Sequence, residues 1–225
     1  MRTPVARGLA DSLSIAVGYV PVAISFGLAA VHADFTPLMA VMASVFIYAG
    51  ASQFILVTLV AAGTSPIGVV GILLLMNLRH LFYGPALLAR MGQRTRRMPA
   101  FVLAAGLTDE VFATSISKLE QQPENERERW YVGLQLGAYS SWVGGTAIGA
   151  WFGQGWIQES EVLAQTLGFV LPALFFALLL EIRHLVSRGV LAAAAIAALL
   201  TLLLLPAYAA IITGMLAGAL WAVRK

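Results

Sequence analysis

Arg79 and His80 stand side by side in Asn77-Leu78-Arg79-His80-Leu81-Phe82-Tyr83-Gly84-Pro85, and no other charged side chain occurs between Pro66 and Ala89. A cation at the middle of a bilayer costs roughly 2.5–3.5 kcal/mol on insertion scales, so Arg79 is expected to face a protein interior or a wet cavity. His80 adds a group that titrates near neutral pH, and Asn77 and Tyr83 add an amide and a phenol. A second apolar stretch carries Thr108-Asp109-Glu110 at its middle. Adjacent side chains on a helix diverge by about 100°, so one acid is positioned to pair with Arg79 while the other is left able to take up a proton. The chemistry in prospect is ion pairing and proton exchange at membrane depth. Gly84-Pro85 is expected to break its helix there, because proline lacks the turn's N–H and its ring clashes with the carbonyl four residues back. Interrupted backbone beside intramembrane charge is how secondary transporters build midplane sites.

Further polar groups fall at comparable depth. Tyr48-Ala49-Gly50-Ala51-Ser52-Gln53-Phe54 offers a hydroxyl and an amide at Ser52 and Gln53, and is read as the lining of a cavity. Gly18-Tyr19-Val20-Pro21 interrupts the first apolar run, and carbonyls freed by Pro21 are expected to turn toward the same space.

The elements that must hold these groups are membrane helices. Of 225 residues 60% are hydrophobic and only 11% charged, against roughly a quarter charged in a soluble domain. The net charge of +3 comes from basic residues at segment ends, a pattern that suits the edge of a bilayer and gives no nucleic-acid footprint. There is no cysteine, and the three histidines have no metal-ligand spacing, so neither a metal nor a cofactor is expected. The fold class is all-α: a single polytopic domain over 1–225 with six to eight transmembrane or re-entrant helices, several broken by proline or glycine. Gly133, Gly137, Ser141, Gly145, Gly149 and Gly153 recur every fourth residue along the fifth segment, a ridge of small residues to which an internal helix or a second subunit can pack closely. The charged loop from Lys118 to Arg129 is read as a connection only. Gly168 to Pro172 echoes Gly18 to Pro21, and Glu181 to His184 echoes Asn77 to His80, which hints at an internal repeat. Eight full crossings with both termini in the cytoplasm would leave Arg90, Arg94, Arg96 and Arg97 outside, against the positive-inside tendency. Making the fourth stretch and one stretch before Arg90 re-entrant brings that loop inside.

Taken in order, the motifs Tyr48 to Phe54, Asn77 to Gly84 and Thr108 to Ala113, after the early segment Gly18 to Gly27, resemble the azaleucine-resistance (AzlC) family of bacterial membrane proteins. The resemblance runs from about Ala10 to Gly189. It implies the large subunit of an exporter of valine, leucine, isoleucine and analogues, some relatives being associated with methionine, in the bacterial cytoplasmic (inner) membrane with a small AzlD-type membrane subunit as partner. An amino-acid zwitterion needs a cationic spot for its carboxylate, an acceptor for its ammonium and an apolar pocket. Arg79 or a half-helix N-terminus is expected to meet the first need, Asp109, Glu110 or carbonyls freed near Pro21 the second, and Phe54, Phe82 and neighbouring leucines and valines the third. No G-x-x-x-x-G-K-[ST] run is present to bind ATP, so proton exchange is the expected driver. Two other readings compete: an intramembrane serine hydrolase using Ser52 and His80, and a scaffold subunit that transports nothing itself.

Overall fold

The computed structural model describes residues 3–92, 98–159, 187–205 and 207–223, with the isolated positions 162 and 176. Among the described residues every regular element is a helix. The chain separates into two compact units, Met1–Leu73 with Asn77–Leu171, and Leu74–Met76 with Pro172–Lys225.

The first unit is built on three helices: α1 (Pro4–Asp11), α2 (Leu13–His32) and, much later in the chain, α9 (Arg127–Glu159). Thr3 caps α1 by accepting from the Ala6 N–H at 3.3 Å, with Pro4 just inside the start. The glycine ridge of α9 faces these two helices. A Cβ at Gly133 would strike the carbonyl of Val5, one at Gly137 the hydroxyl of Ser12, one at Gly149 the carbonyl of Ile24 and one at Gly153 the side chain of Leu28. Gly8 and Gly27 make the reciprocal approach, onto the carbonyls of Trp130 and Thr146. The ridge therefore serves internal helices. The break expected at Pro21 does not occur. α2 is continuous from Leu13 to His32, because its missing N–H costs one hydrogen bond while close packing on α9 holds the helix on both sides of it.

Three interrupted pairs come between: α3 (Pro37–Phe46) with α4 (Gly50–Ala61), α5 (Pro66–Asn77) with α6 (His80–Met91), and α7 (Ala100–Ala105) with α8 (Asp109–Lys118). The third segment breaks at Leu78-Arg79, whereas Gly84 and Pro85 sit inside continuous α6. Pro85 falls in the second turn of α6, where it removes the one bond to the Leu81 carbonyl while the helix continues on both sides of it.

Two of the pairs double back. Val45 near the end of α3 lies against Tyr139, and Gly50 at the start of α4 lies against Trp142. Ala40 and Val57, further from the turn, instead share a cluster with Ala150, Phe26 and Ala30. As α9 rises about 1.5 Å per residue, α4 climbs back the way α3 descended. At the opposite end, α7 climbs along Tyr131 and Gln135, and α8 returns from Tyr19 at Thr108 to Asp11 at Lys118. The unit thus contains two re-entrant hairpins that enter from opposite ends. Interrupting a helix strands carbonyls, and α9 supplies donors for them. Tyr139 donates to the Val45 carbonyl at 3.0 Å, and Tyr131 and Gln135 donate to the Leu103 carbonyl at 3.1 and 2.7 Å.

The polar end of this unit is stitched together. Lys118 Nζ is 2.5 Å from Asp11 Oδ1, Trp130 Nε1 donates to Asp11 Oδ2 at 2.8 Å, and Arg7 pairs with Glu126. Burial pushes the Asp11 carboxyl up, but the bonds from Lys118 and Trp130 and the charges of Lys118 and Arg7 outweigh it and hold the acid below its ordinary value. Arg90 donates to the Ile116 carbonyl at 3.0 Å, and Arg127 to the Arg90 carbonyl at 2.8 Å. The stretch 118–129 is therefore a docking platform for α1 and α6, and more than a connection. Arg90 lies at the same end as Arg7, Lys118 and Arg127, as the re-entrant arrangement requires.

In the second unit, α10 (Arg188–Leu202) and α11 (Ala207–Val223) form a hairpin. Gly214 and Gly218 bring α11 within contact of Ala194 and Ala198, and Thr201 shares a 2.7 Å hydrogen bond with Thr213. The sixth segment, with the echoes at residues 168–172 and 181–184, lies outside the described residues.

Candidate functional site

Thr108 decides where α8 begins. Its extended backbone ends the preceding turn and its hydroxyl accepts from the Val111 N–H at 3.3 Å. Asp109 and Glu110 consequently occupy the first turn of α8, where the helix dipole favours negative charge. The break at Leu78-Arg79 brings Arg79 to the same depth. Arg79 Nη2 is 2.8 Å from Asp109 Oδ2, and Tyr83 one turn into α6 donates to Asp109 Oδ1 at 2.7 Å. Tyr83 is held in turn by stacking on Phe112 at a centroid distance of 4.4 Å. The pairing expected between Arg79 and one of the acids is thus present, with Asp109 as the partner.

Glu110 points elsewhere. The Tyr19 hydroxyl of α2 lies 2.6 Å from Glu110 Oε2 and 2.6 Å from Thr108 Oγ1, and the Tyr19 ring meets Trp142 edge to face at 5.1 Å. Adjacent in sequence, the two acids are therefore partnered by different helices, one with a cation and one with neutral hydroxyls.

A third group gathers at the break between α5 and α6. Ser52 donates to Asn77 Oδ1 at 3.1 Å, and Asn77 Nδ2 donates to the Leu73 carbonyl at 3.0 Å. His80 Nδ1 lies 3.1 Å from the Asn77 carbonyl, and its ring meets Tyr83 at 5.5 Å. Ser52 and His80 each bond Asn77, so the serine–histidine dyad of the hydrolase reading is not formed. Gln53 departs from the cavity-lining expectation. It is fully buried, its Nε2 donates to Ser44 at 2.9 Å, and its Oε1 accepts from Trp142 at 2.9 Å. Ser44 shares a further 2.7 Å bond with Thr146, so Gln53 is interhelical glue between α3, α4 and α9. Gln53→Leu is expected to strand Ser44 and Trp142, each at about 1–3 kcal/mol, and thermal unfolding in detergent measures the loss. Pro21 contributes no break, as described above.

Among the described residues, two buried polar atoms at this level lack a partner: Arg79 Nε and the Tyr48 hydroxyl. Tyr48 occupies the turn between α3 and α4 with φ of +42°, a left-handed conformation unusual for an aromatic residue. An apolar groove of about 400 Å³ runs beside the two hairpin tips, lined by Val45, Phe101, Val102, Gly106, Leu136 and Tyr139 among others. The site residues that sequence reasoning missed are Tyr19, Tyr48 and Thr108. The signal for Tyr19 was present, since a tyrosine in mid-segment needs a hydroxyl partner, but nothing local names Glu110 as that partner.

Known proteins place this arrangement. The family model described as "AzlC protein" matches residues 14–155. The inner membrane protein YgaZ of Escherichia coli K12 is 40% identical over 216 residues, 96% of this chain and 88% of its own. An uncharacterized membrane protein of Archaeoglobus fulgidus is 40% identical over 194 residues, 84% of this chain and 83% of its own. The branched-chain amino acid transport protein AzlC of Bacillus subtilis 168 is 28% identical over 171 residues, 76% of this chain and 64% of its own. No solved structure matches. With the family pattern running through all three interrupted helix pairs, this chain belongs to the AzlC family, and is an all-α membrane protein of a family associated with transport.

Proposed function

We propose that the protein exports branched-chain amino acids, namely valine, leucine, isoleucine and their analogues, with methionine as a further substrate. The observation that carries this reading is the Arg79–Asp109 pair, 2.8 Å apart at the depth where two re-entrant hairpins end. A zwitterion is the one small ligand whose two charges match both halves of such a pair: its carboxylate replaces Asp109 on Arg79, and its ammonium replaces Arg79 on Asp109. The unused Arg79 Nε offers a further donor to that carboxylate.

Export against a gradient requires an energy source, and protons are the driver assigned here. The cluster of Arg7, Arg90, Lys118 and Arg127 supports placing the α1 end in the cytoplasm, with the chain in the inner membrane. The working unit is this chain with a small AzlD-type membrane subunit. Purified protein with that subunit in proteoliposomes is expected to move labelled leucine when a proton gradient is imposed, and to stop when an uncoupler collapses it. Transport of lysine or glutamate in preference to leucine would refute the substrate class, and transport indifferent to the uncoupler would refute proton coupling.

A further inference from the structure

The two acids at the start of α8 have unlike surroundings, and the difference assigns them unlike work. Asp109 carries a full complement of partners: the Arg79 guanidinium at 2.8 Å and the Tyr83 hydroxyl at 2.7 Å. Protonating it would strand Arg79 at membrane depth, and breaking such a pair on one side is strongly unfavourable. Among the described residues no cation pairs with Glu110. Its nearest partner is the Tyr19 hydroxyl at 2.6 Å, itself shared with Thr108. Among the described residues the titratable groups around it are Tyr19 from α2, Tyr48 from the α3–α4 turn, Tyr83 from α6 and Asp109 beside it, and the cation near them, Arg79, is paired with Asp109.

A charge count sharpens the point. Arg79 and Asp109 together are neutral, and a bound zwitterion is neutral, so exchanging one for the other moves no net charge. Coupling to a proton therefore needs a third titrating group, and the site holds two candidates. His80 spends Nδ1 on the Asn77 carbonyl and its ring on Tyr83, contacts that lie within its own helix pair. Of the two, Glu110 is the one bonded outside its own helix pair, through the Tyr19 hydroxyl of α2 that it shares with Thr108. Within reach of its charge, Tyr48 is 7% exposed, holds a left-handed backbone and, among the described residues, leaves its hydroxyl without a partner. A neutral Glu110 gains an O–H to donate where the carboxylate only accepts, so the hydrogen bonds between α8 and α2 change with its protonation. The dipole of α8 at the same position favours the anion, which allows the proton to leave again.

We propose that Glu110 is the proton-carrying residue of the transport cycle, while Asp109 stays ionised throughout as the counter-charge of Arg79 or of the substrate's ammonium. The step is an acid–base one: the Glu110 carboxylate takes a proton from hydronium, leaving water, and returns it to water on the other side. This inference rests on the transport reading above and goes beyond it by assigning the coupling to one residue.

The test uses the chain with its small subunit in proteoliposomes, in two modes. One is accumulation of labelled leucine driven by an imposed proton gradient. The other is leucine counterflow, exchange with no gradient, followed from pH 6 to pH 8. Glu110→Gln is expected to reduce driven accumulation to background and to flatten the pH dependence of counterflow, with counterflow itself slowed by less than about tenfold. Glu110→Asp is expected to restore part of the driven accumulation, because it restores a titrating acid at nearly the same place. Asp109→Asn is expected to lose both modes. Driven accumulation or an unaltered pH profile in Glu110→Gln would overturn the assignment, as would loss of counterflow in that variant, which would make Glu110 part of the substrate seat. Failure of the wild-type protein to move leucine in either mode would instead overturn the transport reading, and the assignment with it.

Discussion

Arg79→Ala and Asp109→Ala are each expected to bring leucine transport to background, and both are expected to lower the amount of folded protein. Each truncation removes one half of an ion pair whose members are only 35% and 25% exposed. Losing one partner of a close, hydrogen-bonded charge pair costs roughly 2–5 kcal/mol, much of it the penalty of leaving the other charge alone. On a binding step that is about thirty- to several-thousandfold. The double variant separates the two consequences. With Arg79→Met and Asp109→Leu together no charge is left uncompensated, and replacing an ion pair held away from water by apolar residues is often neutral or stabilising, here for a pair that is partly buried. Detergent-solubilised double variant should therefore recover toward wild-type yield and melting temperature, while transport stays at background. Wild-type transport rates in either single variant, at equal protein level, would show that the site lies elsewhere.

The second large effect is expected at glycine, and its sign depends on which face of α9 is altered. Gly149→Ala drives a methyl group into the Ile24 carbonyl, and Gly27→Ala does the same against Thr146. Neither neighbour is a movable side chain tip, so α2 and α9 must separate along their length. Overpacking of this kind costs typically 1–3 kcal/mol, and about that or more where backbone must move. Gly144 and Gly155 occupy the same helix with open space around their Cα atoms. There the same substitution relieves the entropic cost of glycine in a helix, roughly 0.5–1 kcal/mol. Thermal unfolding in detergent should place Gly149→Ala and Gly27→Ala below wild type and Gly144→Ala above it. Equal shifts in all of them would mean that the ridge is not the seam between α2 and α9.

These two expectations also mark what is legible in the chain. The ridge is a strict four-residue period, and its interior partner helices carry glycines of their own at Gly8 and Gly27. A guanidinium with few ways to be satisfied in lipid finds a carboxylate, so a pairing of Arg79 with one of the two acids could be anticipated from composition and depth, though not which acid. The break points could not. Proline was the local signal at Pro21 and Pro85, yet α2 and α6 run through both. Where a membrane helix stops is decided by what receives its freed carbonyls, and those receivers are Tyr131, Gln135 and Tyr139. They lie 28 to 94 residues away along the chain. Gln53 was misread for the same reason, since its partners Ser44 and Trp142 belong to other helices. The stretch 118–129 looked like a solvated connector because its charges are mixed, and mixed charges are equally what a platform for Arg7 and Asp11 requires.

The donors along α9 have a mechanical consequence. Each hairpin tip ends on a carbonyl whose bond comes from a phenol or an amide on the same long rod, in a medium with no water to stand in for it. A tip pulled away alone would leave a bare oxygen in oil, at several kcal/mol. The Leu103 and Val45 tips are therefore expected to move with the rod as one rigid piece, so that a rocking motion in the proposed transport would pivot at the seams around it.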